Sequence, residues 1–361
     1  METKLGDILE RGVAERVFPG GVCGVVTREG KRTITPVGTL RYTTPSHGVT
    51  GILKGDTIYD VASVTKSIPT AMIALQLVDE GFISLETKLT EYVPEFKSKW
   101  RDDVLVRHLL TYGLDYVHDG VRMADYAHRP VAELEAYIFE KELGNPPGTI
   151  FMYTNRPAHL LGLLVERVTG KKLDELAEER FFEPLGIKST TFLPLQLQRT
   201  ALSKNEVAPS EQDEHGEDVC GIVHDEGARV FRKVGRTVGF AGLFSTVPDL
   251  LTFMEMLLRG GELGGRRYFS EVMVERMTEN QIAHLGEFTG LGWELNQPHW
   301  MGKYAGAHSI GKTGFTGARI VADRSKGKAM VLLANRIYPK RPPTAKAFNT
   351  VSAALCDIVF V

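Results

Sequence analysis

The sequence reads YDVASVTKSIPTAMIALQLVDEG from Tyr59 to Gly81. Its apolar residues recur at three- and four-residue intervals, at Ile68, Met72, Leu75 and Val78. This is the period of a helix that buries one face, and a glycine commonly ends such a helix. The pattern therefore predicts a helix over 63–80, with Ser63 and Lys66 on its first turn.

Ser63 and Lys66 lie three positions apart, so a helix places them on one face. A serine hydroxyl becomes nucleophilic when a base takes its proton, and a half-buried lysine one turn away can be that base or hold a partner that is. The positive end of the helix would also favour the oxyanion that forms. The plainer interpretation is a helix-capping serine beside a surface lysine, because this pattern occurs by chance in many chains.

The second candidate element is Tyr153-Thr154-Asn155, which lies between a Pro-Pro-Gly turn and a helical pattern over Arg156–Thr169. A tyrosine hydroxyl whose pKa is lowered by neighbouring lysines can pass the proton of Ser63 to the leaving group. The amide of Asn155 would orient the substrate or Lys66. The plainer interpretation is a packed tyrosine followed by a helix-capping asparagine.

The third element is Lys312-Thr313-Gly314, at the end of a strand pattern. Its lysine and threonine offer a cation and a hydroxyl to a substrate carboxylate, while the glycine lets the substrate approach the strand backbone. The backbone N–H groups of Phe315 and Ser63 would form an oxyanion hole. The predicted catalytic residues are Ser63, Lys66 and Tyr153, and the predicted substrate-binding residues are Asn155, Lys312, Thr313, Gly314 and Phe315.

Two alternatives compete with this interpretation. Residues Gly306–Thr313 match the phosphate-binding pattern GxxxxGK followed by Ser or Thr. That loop needs a helix after it, whereas the sequence from Gly314 continues as a strand, so nucleotide binding is a minor hypothesis that ATP with magnesium would test. His224-Asp225 could imitate part of a Ser/His/Asp arrangement, although a hydrogen bond within a loop explains it more simply.

Composition narrows the partners and the location. The 361 residues include 43 basic and 45 acidic side chains, for a net charge of -2, so no uniform field favours nucleic acid or an anionic membrane. Cys23, Cys220 and Cys356 lack the spacing of a zinc site and are odd in number, which predicts buried thiols in a reducing compartment. The N-terminus has no secretory pattern and no apolar run could cross a bilayer, so we predict a cytoplasmic protein. The oligomeric state is left open.

The order of elements predicts a mixed fold. A hairpin of Gly20–Val26 and Arg32–Val37 opens the chain, strand patterns return after about Gly290, and helical patterns fill the interval. We predict an α/β (α+β) fold in which an antiparallel sheet, formed by N- and C-terminal segments, carries helices on its faces and an inserted helix-rich subdomain. Residues 196–220 are expected to form a mobile surface excursion.

This prediction assigns 1–62 and 285–361 to the sheet region and 63–284 to the helix-rich region with the nucleophile helix, together one catalytic domain. Further predicted helices are 1–17, Val104–Leu110, Val131–Glu142, Leu173–Phe182, Pro248–Gly260 and Thr344–Ile358. Further predicted strands are Leu291–Leu295, Ala305–Lys312, Ala318–Ala322 and Ala329–Ala334.

In the order SxxK, YxN and KTG, the three elements resemble the signature of the penicillin-recognising serine hydrolases: class C β-lactamases, D-alanyl-D-alanine peptidases and their esterase relatives. The resemblance continues through Tyr59–Ser63, Pro147–Thr149, Phe182–Ile187, Gly239–Thr246 and Gly314–Gly317 and covers nearly the whole chain. It implies a β-lactamase/transpeptidase-like fold, an acylation–deacylation cycle on Ser63, a small ester, amide or β-lactam substrate, and no metal or organic cofactor.

Two features of the sequence affect the substrate. Relatives usually have a longer Leu-Leu-Thr-His-Thr-Ser-Gly-Leu run where this chain has Leu109–Leu114, so one wall of the pocket is rebuilt. Many non-lactamase relatives most similar in this last motif have His in place of Lys312. Because this chain has the lysine, recognition of a substrate that carries a carboxylate stays open. We expect an esterase or a D-amino-acid amidase or peptidase ahead of a β-lactamase. The alternative is a non-catalytic binding protein with the same fold.

Overall fold

The computed structural model describes residues 1–42, 51–126, 128–193 and 206–361. The strands within them are β1 (Gly20–Thr27), β2 (Arg32–Gly38), β3 (Tyr59–Asp60), β4 (Phe244–Ser245), β5 (Glu262–Leu263), β6 (Arg266–Arg267), β7 (Glu294–Leu295), β8 (Ser309–Gly314), β9 (Ala318–Asp323) and β10 (Lys328–Ala334). The α-helices are α1 (Glu2–Ala14), α2 (Met72–Asp79), α3 (Val106–Leu110), α4 (Val131–Glu140), α5 (Arg156–Thr169), α6 (Leu173–Ala177), α7 (Glu226–Arg232), α8 (Val247–Leu258), α9 (Glu271–Thr278), α10 (Pro298–Met301) and α11 (Lys346–Val359).

The main sheet joins the two ends of the chain. Among the described residues it has six antiparallel strands in the order β2-β1-β10-β9-β8-β7. β1 lies beside β10, with Gly21 opposite Ala334. The β1–β2 hairpin turns at Gly30, whose φ of 87° is readily adopted by glycine. The predicted sheet of N- and C-terminal segments is confirmed.

Both faces of this sheet are buried. Successive residues of β10 alternate between two apolar cores: Ala329, Val331 and Leu333 face one, and Met330, Leu332 and Ala334 face the other. This alternation follows from the two-residue period of a strand. The second core is closed by residues of α1 and α11, such as Leu5 and Leu355.

Helix α8 covers the first core and lies directly on β1. A Cβ atom added at Gly24 would lie 2.2 Å from Cγ1 of Val247 and 2.8 Å from Cδ1 of Leu251. Real Cβ atoms do not approach other atoms so closely, because close-packed interiors leave no room for the overlap. The absence of a side chain at Gly24 therefore sets how near the helix can approach the sheet.

The helix predicted over 63–80 is interrupted. Ile68 has φ -111° and ψ 114°, residues Lys66–Ala71 form a wider π-helical turn, and the regular helix α2 begins only at Met72. Pro69 explains the break, because proline has no N–H to donate within a helix and disfavours helical backbone in the residue before it. Ser63 therefore lies in a turn ahead of the helix and not on its regular first turn.

Most other predicted elements are present with altered ends. α5 spans the predicted Arg156–Thr169, whereas the predicted strand Leu291–Leu295 shortens to β7. β8 starts at Ser309 because residues 306–309 close a turn, in which the Ser309 N–H donates to the Gly306 carbonyl at 3.0 Å. The short helices α7 and α9 were not predicted, although the side chains of Asp225 and Ser270 cap their N-termini.

The predicted surface excursion over 196–220 is only partly open to comparison. Residues 196–205 lie outside the described residues. Residues 207–210 and 219–220 are buried, and the Ala208 N–H donates to the Ile58 carbonyl at 2.8 Å, whereas residues 213–217 are exposed. The prediction of a surface excursion is therefore wrong for the buried ends of this stretch and agrees with its exposed middle.

Three further expectations concern the whole chain. All three cysteines are buried and free, as predicted. Within the described residues no helix has the length and apolar character needed to cross a membrane. The division at 62/63 and 284/285 stays a prediction.

Candidate active site

Ser63 lies in a tight turn between β3 and the π-helical turn. Ala62 before it has left-handed backbone, with φ 47°, a conformation that costs free energy for a residue with a side chain. Two hydrogen bonds hold it there. The Ala62 N–H donates to Asp60 Oδ1 at 2.8 Å, and its carbonyl accepts from Thr65 Oγ1 at 2.6 Å. The turn leaves the Ser63 side chain half-buried.

Lys66 contacts the Ser63 hydroxyl directly. Its Nζ lies 2.8 Å from Ser63 Oγ and 2.9 Å from the carbonyl oxygen of Phe240, and the residue is 2% exposed. Burial lowers the pKa of Lys66 and the charge of Lys312 lowers it further, against the raising effects of Tyr153 and Asp225. A lysine with a lowered pKa is more often neutral, and its neutral amine can accept the proton of a serine.

Tyr153 lies beside both lysines. The centroid of its ring is 4.6 Å from Nζ of Lys312 and 5.4 Å from Nζ of Lys66. Burial of the hydroxyl opposes its ionisation, but the charges of Lys312 and Lys66 outweigh burial, so the pKa of Tyr153 is lowered. The residue as a whole is 43% exposed, so its ring borders the solvent beside Ser63.

Lys312 is fully buried and has two polar partners. Its Nζ lies 3.2 Å from Oη of Tyr112 and 3.2 Å from Oε1 of Glu294. Burial alone would lower the pKa of Lys312, but Tyr112, Tyr153 and Glu294 outweigh it and the pKa is raised. Lys312 is therefore a lasting positive charge beside Tyr153.

Neither Tyr112 nor Glu294 was predicted. Tyr112 lies in Leu109–Leu114, the segment that departs from the usual run, and that departure was the available signal. Glu294 lies on the edge strand β7, opposite Gly311 of β8. In the sequence, the available signal for Glu294 was a charged residue between two apolar ones, Trp293 and Leu295.

Thr313 and Gly314 complete the wall of the site. The hydroxyl and the N–H of Thr313 both donate to Glu294 Oε1, at 3.1 and 3.4 Å. A Cβ added at Gly314 would lie 2.3 Å from the Val61 carbonyl oxygen, so a glycine is needed for β8 to pass the segment that precedes Ser63.

The backbone N–H groups of Ser63 and Phe315 were predicted to bind the oxyanion, and that role stays a prediction. In the ranges that the structure describes, the backbone N–H groups of Ser63 and Phe315 donate to no other protein group. The backbone around Phe315 is fixed, because Arg336 Nε donates to its carbonyl at 2.9 Å and Thr316 Oγ1 donates to the Asp60 carbonyl at 2.5 Å. These contacts tie the end of β8 to the turn that carries Ser63.

The Asn155 amide binds a carboxylate, Asp225, instead of Lys66 itself. Its Nδ2 donates to Asp225 Oδ2 at 3.0 Å, and the charge of Asp225 favours the ammonium form of Lys66. His224 has other partners: its Nε2 lies 3.0 Å from Glu211 Oε1, and its N–H donates to Asp60 at 2.8 Å. This agrees with the loop interpretation of His224-Asp225, while Asp225 itself was missed as a neighbour of the site.

The phosphate-loop hypothesis is wrong. Within Gly306–Thr313 the chain already forms β8, which turns directly into the antiparallel strand β9 instead of a helix. The lysine of the pattern is buried against Tyr112 and Glu294. Among the described residues no group of three or more His, Cys, Asp or Glu side chains is arranged to hold a metal ion.

Known proteins resemble this chain in sequence and in fold. A family model described as Beta-lactamase matches residues 5–355. The chain belongs to the beta-lactamase family. A relative from Escherichia coli K12 is named "Putative D-alanyl-D-alanine carboxypeptidase". It is 30% identical to this chain over 307 residues, which cover 78% of this chain and 69% of the relative.

Solved structures resemble this beta-lactamase family chain over almost its full length. EstCE1, a hydrolase with promiscuous acyltransferase activity, is 17% identical with a TM-score of 0.76, over 99% of this chain and 98% of EstCE1. An octameric penicillin-binding protein homologue from Pyrococcus abyssi is 22% identical with a TM-score of 0.70, over 97% of this chain and 76% of the homologue. The predicted β-lactamase/transpeptidase-like fold is confirmed.

Proposed function

We propose that this chain hydrolyses an ester or amide bond through an acyl-enzyme on Ser63. The observation that carries the proposal is the 2.8 Å approach of Lys66 Nζ to Ser63 Oγ in a place where Lys66 is almost fully buried. A buried lysine beside a serine has little structural purpose, because burying a charge costs free energy unless the site uses it. Tyr153, which lies beside Lys66 and Lys312 and has a lowered pKa, supplies a second proton acceptor.

Acylation begins when Ser63 Oγ attacks the carbonyl carbon of the substrate. The hydroxyl proton passes to Lys66 or Tyr153, and the backbone N–H groups of Ser63 and Phe315 bind the oxyanion. The carbonyl re-forms as the bond to the leaving alcohol or amine breaks, and the leaving group takes the proton that Ser63 gave up. Lys312 keeps the potential near Tyr153 positive and so favours its ionised form.

Deacylation repeats these steps with water as the nucleophile. Water attacks the acyl carbonyl, gives a proton to the same Tyr153 and Lys66 pair, and releases the acid while Ser63 recovers its proton. The names of similar proteins support this class of reaction, since one is a carboxypeptidase by name and another is a hydrolase with acyltransferase activity. An esterase or a D-amino-acid amidase or peptidase acting on a small molecule fits these names better than a β-lactamase.

Covalent labelling tests the proposal. The protein is incubated with a fluorophosphonate or a fluorescent penicillin, digested, and searched by mass spectrometry for the modified peptide. We expect the label on Ser63, retained in Ser84→Ala, whose serine is exposed, and lost in Ser63→Ala. A folded protein that binds neither reagent covalently and hydrolyses no short-chain ester or D-peptide amide would instead be a non-catalytic ligand-binding protein.

A further inference from the structure

A cavity lies beside the active site, next to Asn155. Its volume is about 300 Å³, which is at the lower end of the range for pockets that bind small molecules. Asn155 and Asp225 line it. The Asp225 carboxylate already has partners within the protein, since it accepts hydrogen bonds from Asn155 Nδ2 at 3.0 Å and from the Ala228 N–H at 2.9 Å. Its charge also acts on Lys66, so the cavity borders the surroundings of the proposed proton acceptor.

Three arginines line the same cavity, and two of them are paired with acids. Arg341 Nη2 lies 2.6 Å from Glu226 Oε1, and Arg122 Nη2 lies 3.1 Å from Asp125 Oδ1. Arg156 is the third. Within the described ranges no carboxylate is paired with Arg156 and its Nε is buried without an acceptor, so the two terminal nitrogens are the donors left to face the cavity. The cavity therefore presents one guanidinium without an acidic partner.

The guanidinium of Arg156 is held by two aromatic rings. Its Cζ lies 4.7 Å from the ring centroid of Tyr137 and 5.1 Å from that of Tyr116. The ring of Tyr137 is fixed in turn, because its hydroxyl donates to Asp119 Oδ1 and to the Val121 carbonyl, each at 3.1 Å. Contact with rings uses the faces of a guanidinium and leaves the N–H groups at its edge for a planar partner. The side chain is thus oriented before a ligand binds, which reduces the entropy lost on binding.

We infer that Arg156 selects substrates whose acyl part ends in a carboxylate, such as the monoesters or monoamides of dicarboxylic acids. The inference rests on the proposed function and names a substrate class for it. A carboxylate is planar and accepts two parallel hydrogen bonds from one guanidinium. The acyl part is assigned to the cavity because the predicted place for a carboxylate on the leaving group is at Lys312 and Thr313, and the described residues around the cavity include neither.

Matched esters measure this selectivity. The para-nitrophenyl monoesters of adipic and suberic acid are compared with the para-nitrophenyl esters of the corresponding half-amides, in which a neutral carboxamide replaces the free carboxylate. The two chain lengths allow for the span between the acyl carbonyl and Arg156. For the wild type, kcat/KM should be higher for the acid than for its half-amide by about tenfold or more with at least one chain length. A wild type that prefers the half-amide, or that shows no preference with either acid, overturns the inference.

Arg156→Gln removes the charge and tests the assignment to this residue. The ratio of kcat/KM for the acid to that for the half-amide should fall by about tenfold. Both esters are measured on the same variant, so a general loss of activity cancels in the ratio. The control is Arg167→Gln, which removes an exposed arginine near the other end of α5 and should keep the wild-type ratio.

Two outcomes separate this inference from the proposed function. An unchanged ratio in Arg156→Gln overturns the role of Arg156 while the hydrolase proposal stands. If no ester is turned over in a way that Ser63→Ala abolishes, the proposed function and the inference fall together.

A binding measurement on the wild type covers the case in which Arg156→Gln does not fold. Boronic acids form tetrahedral adducts with reactive serines, and the boron takes the place of the acyl carbonyl carbon, so its chain lies where the acyl chain would lie. The inhibitors are 4-carboxybutylboronic acid and 6-carboxyhexylboronic acid, each compared with its carboxamide. The carboxy compound should bind about tenfold more tightly at the chain length that the esters favour. Equal or weaker binding of the carboxy compound overturns the inference.

Discussion

Lys66 and Lys312 respond in opposite ways to the same burial. Water is excluded from both, which disfavours the ammonium form. Lys312 has Tyr112, Tyr153 and Glu294 to compensate, and its pKa is raised. For Lys66 the effects of burial and of Lys312 prevail, and its pKa is lowered. The site thus holds one fixed cation next to one lysine that releases its proton more easily.

This difference predicts how kcat/KM depends on pH. The group that accepts the Ser63 proton must be unprotonated, so activity rises with pH through the pKa of Lys66 or Tyr153. Both pKa values are lowered, partly by the charge of Lys312, so the rise should occur below the pH at which an ordinary lysine or tyrosine loses its proton. Lys312→Met removes that charge, both pKa values increase, and the rise in kcat/KM should move to higher pH.

The pH profile of a neutral ester, recorded for the wild type and Lys312→Met, checks the expected direction. Lys303→Met removes an exposed positive charge and should leave the profile in place. A profile of Lys312→Met that is unchanged, or displaced to lower pH, would show that Lys312 does not control the proton acceptor.

At the level of single elements, an uninterrupted pattern was enough to predict bounds. α5 follows its apolar period from Arg156 to Thr169, and β10 extends the predicted Ala329–Ala334 by one residue. The predicted helix over 63–80 was wrong in its first part, because Pro69 breaks the helical backbone even though the apolar residues on both sides keep the helical spacing. β7 is shorter than predicted, since only Glu294 and Leu295 pair with β8.

The contact between β1 and α8 makes a prediction about stability. Gly24→Ala puts a methyl group where Val247 Cγ1 would be 2.2 Å away, so the helix must move or the side chains must leave their preferred rotamers. We expect the free energy of unfolding to fall by about 1–3 kcal/mol. Chemical denaturation measures the change.

Gly306→Ala is the matched control, because nothing lies within 4 Å of a Cβ at Gly306 and its φ is not in the left-handed region. Its free energy of unfolding should stay within about 0.5 kcal/mol of the wild type. Equal losses in both variants would mean that helix α8 does not press on β1.

At the scale of the whole molecule, the site joins parts of the chain that local patterns cannot connect. The order of three motifs was enough to predict Ser63, Lys66, Tyr153 and Lys312 as neighbours, and the structure places their side chains together. Tyr112 bonds Lys312 across 200 positions of sequence. Neither the periodicity of apolar residues nor the spacing of motifs in the sequence predicts such a contact, because the contact depends on how the helices and the sheet pack against each other.

The assembled site predicts a response of the whole fold to a ligand. A boronic acid that bonds Ser63 binds only the folded protein, so at 100 times its Kd it should stabilise the fold by about 2.7 kcal/mol. The Tm should rise by a few degrees, as a thermal scan would record. Ser84→Ala should keep this increase and Ser63→Ala should lose it. The same increase in Ser63→Ala would place the ligand elsewhere.

The pairing of β1 with β10 has a consequence for synthesis. β1 is complete at Thr27 and pairs with β2 in a local hairpin, but β10, its neighbour on the other side, begins at Lys328. The ribosome therefore synthesises β1 some 300 residues before β10, and contacts so distant in sequence form slowly. The turn around Ser63 contacts Gly314 and Thr316, so a nascent chain cannot complete the surroundings of its nucleophile until those two residues have been synthesised.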